Sequence, residues 1–460
     1  MTSDHGLTES LAHYISAPYF GDQKDQACDI AKTGFIDTIA AMFAGRNEPV
    51  VQIITRYIQS MGGTCDAPIM VSGQLAPSPL AACINSVAAH ALDYDDVSLA
   101  AHTSAVLVPA ILAEGFRLGV SGNKALLAYV VGYEVWNELY SRETDSYHVK
   151  GWHPSSVLGT VAAAAAVAFL HDATPNQARA TLAIAASMAG GLVANFGSMT
   201  KPFHLGRACA SAIEAAKLAQ SGLTASSDAL EHHAGFLAAF SPSGNVDRTS
   251  AANIGLRTPW LITNGLCIKR YPACYSGHRV IDGAAKLAHM VKININEVQE
   301  IHVQIGASQA SILRYHAPLT GLESKFSIEY AAIIPLIERN IGLSNFTDTF
   351  VRKPEVQSLI RKVSVTVDQR SCPIDPVFGY ADRVRIIMTD GRIHDSGEIR
   401  FALGHAKNPA PVEELKKKFF DCFAYGTEEH NSKEIYNALI RFEEVKNLRT
   451  FIPKINYALV

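Results

Sequence analysis

A mainly α-helical protein with a smaller α+β unit is the fold class this sequence predicts, on three observations. Apolar residues recur at helical spacing in long stretches from residue 25 to about residue 240. Those stretches are rich in alanine and other small residues, which let helices approach closely inside a bundle. The period then switches to alternation at 298–305, 363–367 and 383–388, the mark of strands. At 460 residues the chain exceeds one ordinary core, so two domains are expected. The large helical domain would comprise 1–267 and be completed by 402–460, with a smaller α+β domain over 268–401.

Composition narrows the function classes. Hydrophobic residues make up 48% and charged residues 18%, so the chain can bury a large core and is not disordered. A formal charge of −3 gives no basic field for nucleic acid or an anionic membrane, and any anion site must rest on a few local cations. Residues 1–16 lack a cationic segment followed by an apolar run, and apolar runs such as 161–170 are far short of a membrane span. Eight cysteines are scattered without a C-x-x-C pair, which argues against a zinc knuckle or an iron–sulfur cluster. Free thiols in a reducing cytoplasm follow.

The elements justify themselves in order. Helices are expected at 25–44, stopped by Gly45, and at 50–61, closed by Gly62 and Gly63. A short strand or turn follows at 68–71, then helices at 78–92, 104–118 and 124–140. Pro154 stands near the start of the next helix, and Thr174 with Pro175 forms a start signal for 175–194. Residues 195–207 read as a loop before a helix at 208–221. A helix over 228–240 carries His232-His233, a weak metal pair because neighbours on a helix point about 100° apart. Residues 241–258 read as a polar surface loop. In the smaller domain, helices are expected at 280–291 and after 325, the latter broken near Pro335, and Thr389-Asp-Gly391 reads as a hairpin turn. Amphipathic helices after 411 and at 432–445 should fold back on the N-terminal bundle.

Five polar stretches interrupt or begin apolar helices: 93–102, Trp152-His153, 200–204, 269–278 and 325–330. In the first, His90-Ala-Leu-Asp-Tyr-Asp-Asp96 and His102 place carboxylates at a helix C-terminus, where they oppose the helix dipole. Solvated helix connections are the plain alternative for each stretch taken singly. Together they offer Lys201, Lys269, Arg270, several histidines, a carboxylate cluster and one tyrosine, a set suited to a small polyanion. Thr200, His204 and Cys274 fall inside the same stretches. No Gly-rich phosphate loop, G-x-S-x-G or metal-ligand motif stands out.

Several motifs carry a family resemblance. H-A-L-D-Y-D-D, H-T-S-A-V-L-V-P-A, G-W-H-P-S-S-V-L-G-T, G-S-M-T-K-P-F-H-L-G-R, K-R-Y-P-A-C-Y-S-G-H, K-F-S-I-E-Y and G-H-A-K-N-P occur in this order along nearly the whole chain. The sequence thus resembles the MmgE/PrpD family of 2-methylcitrate dehydratases, cis-aconitate decarboxylases and iminodisuccinate epimerases. The resemblance implies a homodimer of helical domain plus lid, without metal or organic cofactor. By motif it implies Asp93, His102, His153 and Lys201 as the catalytic group. Lys269 and Tyr330 would bind substrate, with Cys274, Thr200, His204 and Arg270 from the adjoining motif positions. Two departures bear on chemistry: Val97 stands where the decarboxylases have threonine, and Cys274 where they have histidine. Thr103 replaces the usual proline, and Glu338-Arg-Asn replaces an Asp-Gly common in the lid helix.

A proton α to a carboxylate is very weakly acidic, so its removal requires fixed positive charge or donors for the enediolate. Lys201 and Lys269 suit that role, and a histidine such as His102 suits proton transfer. The expected activity is a cofactor-free lyase dehydrating a 2-methylcitrate-like polycarboxylate. Epimerisation of an amino-polycarboxylate such as iminodisuccinate and decarboxylation of a cis-aconitate type are the alternatives, and a carboxylate-binding protein without activity is a further one.

Overall fold

The computed structural model describes residues 6–254, 261–291, 293–373, 378–426 and 432–456. Its first core is a bundle whose centre is the helix Pro154–Leu170. That helix is apolar all round, and of its residues only Phe169 is not buried, as a helix surrounded on every side must be. Around it pack Ser78–His90, Thr103–Leu118, Gly122–Tyr140, Pro175–Met188 and Thr200–Gln220. The local start signals are present: Thr174 and Gln177 form a reciprocal capping box, and Ser121 accepts from the Lys124 amide. Small residues set the spacing. A Cβ at Gly206 would lie 2.8 Å from the Cys83 carbonyl oxygen, so glycine lets Thr200–Gln220 lie directly against Ser78–His90. This contact brings Lys201 to the end of the helix that leads into Asp93.

The chain returns to this core at its C-terminal end. Helix Val412–Gly426 packs on Lys24–Gly45, where Phe423 stacks on Phe43 at 4.2 Å between ring centres. Phe442 meets Phe35 at 5.0 Å. Among the described residues no helix is long and apolar enough to cross a membrane.

A short ribbon, β1 (Ala67–Pro68) with β2 (Leu75–Ala76), lies within the helical part. The lid holds β3 (Val298–Gly306), β4 (Val363–Asp368), β5 (Arg383–Met388) and β6 (Ile393–Asp395) in the order β4-β3-β5-β6. Strand β4 runs parallel to β3, whereas β5 and β6 continue antiparallel. Gly391 takes a φ of 85° in the β5–β6 turn. Helices His278–Met290, Ile328–Ile337 and Pro354–Ile360 bury their apolar residues with Val298, Ile301, Val303, Val384 and Ile386 to form the second core.

Four local expectations are corrected. Residues 200–207 are not loop, because the helix begins at Thr200. Pro202 is tolerated in the first turn, where its missing N–H would have no partner in any case. The helix from Pro175 ends at Met188, just before Gly190 and Gly191. Helix over 228–240 forms only at Phe236–Phe240, leaving His232 and His233 exposed in a turn. Pro335 lies inside Ile328–Ile337 rather than breaking it. The last four residues of the 241–258 loop lie outside the described residues.

Candidate active site

After His90 the chain turns sharply. Asp93 adopts a φ of 52°, in the left-handed region that Asp tolerates better than most residues. The turn directs a buried carboxylate at two lysines. Asp93 Oδ2 accepts from Lys201 Nζ at 3.0 Å, Oδ1 pairs with Lys269 Nζ, and the Asp93 carbonyl oxygen accepts from Lys269 Nζ at 2.8 Å. Burial would raise this carboxyl's pKa, but the Lys201 and Lys269 ammonium groups hold it well below the usual range.

A second carboxylate organises the imidazoles. His90 Nδ1 lies 2.8 Å from Asp95 Oδ1, and its Nε2 lies 2.6 Å from Lys201 Nζ. Since an ammonium can only donate, Nε2 accepts and the proton sits on Nδ1, facing Asp95. His102 Nδ1 is 2.9 Å from Asp95 Oδ2 but out of line for a hydrogen bond, and its Nε2 is 3.6 Å from Asp93 Oδ1. Burial first, against the opposing pull of Asp95, pushes His102 down to about 3. His153, at the start of Pro154–Leu170, sets Nδ1 3.2 Å from His204 Nδ1 and its ring edge-on to Phe196. Burial, then Lys201, drives His153 well below its ordinary value. Both imidazoles are therefore neutral at pH 7 and able to accept a proton.

Lys201 sits between two rings, 5.2 Å from the centre of Phe196 in the bundle and 5.3 Å from Phe326 in the lid. It faces a cavity of about 770 Å³ lined by Val97, Leu99, His102 and His153 from the bundle. Cys274, Ser276 and Phe326 of the lid line the same cavity, as do Arg400, His405 and Lys407 of the segment returning to the bundle. A larger cleft of about 950 Å³ holds Arg270, Lys286, Arg339 and Glu414. It includes the ion pairs Arg270–Glu414 at 3.4 Å and Lys417–Asp421, and it contains neither the carboxylate cluster nor the neutral imidazole pair. The smaller cavity is therefore the candidate active site.

The structure brings together Asp93, His102, His153, Lys201 and Lys269, with Cys274 on the cavity wall. Lys269 is fully buried behind Asp93, its ammonium turned to that carboxylate and outside the smaller cavity's lining. Four expected residues stand elsewhere. Thr200 is exposed and outside the cavity lining, being turned about 100° from Lys201 on the helix. His204 lies behind His153. Arg270 lines the larger cleft and pairs with Glu414, while Lys269 beside it points to Asp93. Tyr330 is buried in the lid core, packing on Phe346 and donating to the Asn345 carbonyl. Tyr330→Phe should therefore cost about 1–3 kcal/mol of stability by leaving that carbonyl unpaired, with turnover within about threefold of the parent. Urea unfolding beside a rate assay checks this, and a large rate loss at unchanged stability would contradict it.

His90, Asp95 and Lys325 escaped the motif-based selection. The signals were present, since His90 and Asp95 lie in H-A-L-D-Y-D-D and Lys325 opens K-F-S-I-E-Y. What pattern alone does not show is that an imidazole would join a lysine 111 residues away.

The ligand atoms of His90, Asp93, Asp95 and His102 all lie within 4.8 Å of one another, a spacing that could hold a metal ion. However, both Asp93 oxygens already face ammonium groups, and a divalent cation there would meet two like charges within a few ångström.

The buried neutral histidines set an acid limit on folding. His102 and His278 are pushed down to about 3 and His148 to about 4, in each case chiefly by burial. Between their unfolded value near 6.5 and these lower values the unfolded chain binds more protons, so stability falls as pH falls through that window. Each contributes at most about 1.4 kcal/mol per pH unit. Asp382, raised to about 6 by burial, opposes this between 3.8 and about 6, as do Asp37, Glu48, Asp96 and Asp282, also raised chiefly by burial, but His90, His153, His204 and His405 are lowered by burial as well and leave the histidines in the majority. Asp93 and Asp95, held low, add their loss only below 3.8. Urea midpoints should drop steadily from pH 7 to pH 4. A flat or rising midpoint would contradict this.

The fold and the paired-lysine carboxylate define a class: the chain belongs to the MmgE/PrpD family. The family's N-terminal domain matches residues 9–249 and its C-terminal domain residues 271–441. Among individual proteins, the chain is 30% identical to human cis-aconitate decarboxylase over 427 residues, covering 90% of this chain and 87% of the relative. It is 28% identical to the mouse cis-aconitate decarboxylase, with 90% and 86% covered. A cis-aconitate decarboxylase-like protein of Aspergillus oryzae is 26% identical, with 79% and 80% covered.

Proposed function

We propose that this protein is a cofactor-free lyase acting at the carbon α to a carboxylate of a small polycarboxylate, with loss of water as the net reaction. The observation that carries this reading is that Lys201 and two neutral imidazoles, His102 and His153, line one cavity. A substrate carboxylate would take Lys201 as its cationic partner, and negative charge growing there on deprotonation would meet a group already in place. A neutral imidazole removes the α proton, and His102 is the candidate because it lines the cavity with Lys201 and lies beside the Asp95 carboxylate, which would stabilise the imidazolium formed. The C–H electron pair then expels the β-hydroxyl, which leaves as water with a proton returned from an imidazolium. His102, which has just taken the α proton, is the imidazolium that gives it back, and His153 lines the same cavity.

Decarboxylation is the second reading, supported by the names of the relatives. It makes a different demand, because an unsaturated acid losing CO₂ must be protonated at carbon by a group that begins as an acid. The neutral histidines and the Val97 and Cys274 positions favour proton removal instead. Epimerisation would follow if the proton returned on the opposite face.

Incubation with 2-methylcitrate, citrate, cis-aconitate and iminodisuccinate in D₂O, followed by proton NMR and CO₂ measurement, separates these outcomes. Dehydration produces an alkene signal without CO₂, and decarboxylation releases CO₂. Epimerisation places deuterium in a recovered substrate. If no acid loses water or CO₂ or gains deuterium, the lyase reading falls.

A further inference from the structure

Lys325 is a buried lysine that pairs with no carboxylate among the described residues, and it lies where lid and bundle meet. Its Nζ donates to the Leu92 carbonyl at 2.6 Å and to the Pro272 carbonyl at 2.6 Å, and its own carbonyl accepts from the Cys274 amide at 3.0 Å. It is 4% exposed, and its ammonium lies 5.1 Å from the centre of the Phe346 ring. Leu92 immediately precedes Asp93, while Pro272 stands between Lys269 and Cys274. One side chain of the lid thus grips both loops that supply the carboxylate and its second lysine.

We propose that Lys325 is a positioning residue that clamps the Asp93 loop to the Lys269–Cys274 loop and so holds Asp93 between its two lysines. Its importance for turnover rests on the lyase reading above, whereas the clamp itself does not. The geometry has a physical motive. A non-glycine residue at φ 52° persists only where its surroundings over-determine it. Here the Leu92 carbonyl is tied by Lys325, the Asp93 carbonyl by Lys269, and the Asp93 amide donates to the His90 carbonyl at 3.1 Å. An aliphatic side chain could fill the same space without desolvating an ammonium, but it would leave two buried carbonyls without donors.

The clamp should also respond to pH. Burial, the largest influence, lowers Lys325 to about 7. The charged groups facing it are Asp93 of the turn, Glu48 of the second-helix connection, Lys269 and Lys201. Asp93 and Glu48 favour its charge, whereas the two lysines oppose it. Below pH 7 the contacts are charge-assisted, and above it a neutral amine makes ordinary hydrogen bonds.

Hydrogen–deuterium exchange of the full chain tests this, with Lys325→Met and Lys325→Arg compared against the parent. Lys325→Met should speed exchange in segments 91–103 and 269–276 by about tenfold or more while the distant lid strands keep their protection. In the parent, protection of 91–103 should weaken between pH 6 and pH 8 beyond the intrinsic exchange rate, and Lys325→Arg, always charged, should remove that pH response. With an active substrate in hand, Lys325→Met should lower kcat by about tenfold with a smaller change in KM, and abolish any kinetic limb near pH 7. Parent-like exchange in both segments of Lys325→Met overturns the proposal. Should that variant not fold, a pH-independent 91–103 segment in the parent overturns it equally. If no acid is turned over, the lyase reading fails while the exchange result still decides the clamp.

Discussion

Lys201→Ala is expected to lower kcat/KM by about 10²-fold or more without unfolding the protein. The ammonium is buried at 4% exposure, between Phe196 and Phe326 and facing the cavity. Charge placed in a site poor in water stabilises a developing enediolate far more than the same charge in solvent, and loss of one such donor costs about 3–4 kcal/mol. Folding survives because Asp93 keeps its pairing with Lys269 and His90 keeps Asp95. Lys201 stands in the first turn of its helix, where the dipole disfavours a cation, so alanine relieves one local penalty. Steady-state kinetics beside a thermal melt provide the check. An unchanged rate in a folded variant would remove Lys201 from the chemistry.

Asp93→Ala should damage both folding and activity, and Asp93→Asn should separate the two. Alanine leaves the Lys201 and Lys269 ammonium groups buried beside each other without an anion. Breaking a buried pair in this way costs about 3–5 kcal/mol. Alanine also fits the left-handed turn less well than Asp or Asn. Asparagine retains the turn and the shape but not the charge. It should lose less stability while still lowering kcat/KM by about 10²-fold, because Lys201 and His102 both orient on the carboxylate. Denaturant unfolding of both variants beside their kinetics tests this. Equal stability of Asp93→Ala and the parent would mean that the lysines are not held by this charge.

The fold class was legible because it depends on periodicity. Helical spacing over the first half of the chain and alternation at 298–305 and 383–388 each follow from burying one face of a regular element. Start signals such as Thr174-Pro175 are equally local, and the structure contains them. The 200–207 error has the same origin. A polar run with a proline looks like a break, whereas the first turn of a helix accommodates proline and needs no amide donor there.

The site divided along a different line. By itself the sequence determined the chemical inventory: a carboxylate cluster, histidines at helix starts, and lysines set among apolar segments, in an order that marks the family. It could not determine which neighbours in a motif face the same way. Lys269 and Arg270 are adjacent, yet one is fully buried on Asp93 and the other is exposed and pairs with Glu414. Only the packing of Thr200–Gln220 on Ser78–His90, made close by Gly206, brings Lys201 to His90 and Asp93. Only lid-to-bundle contact turns Lys325 towards Leu92 and leaves Tyr330 inside the lid core. Periodicity is a property of a few turns of chain, whereas charge pairing across 108 or 176 residues exists only once the cores have formed.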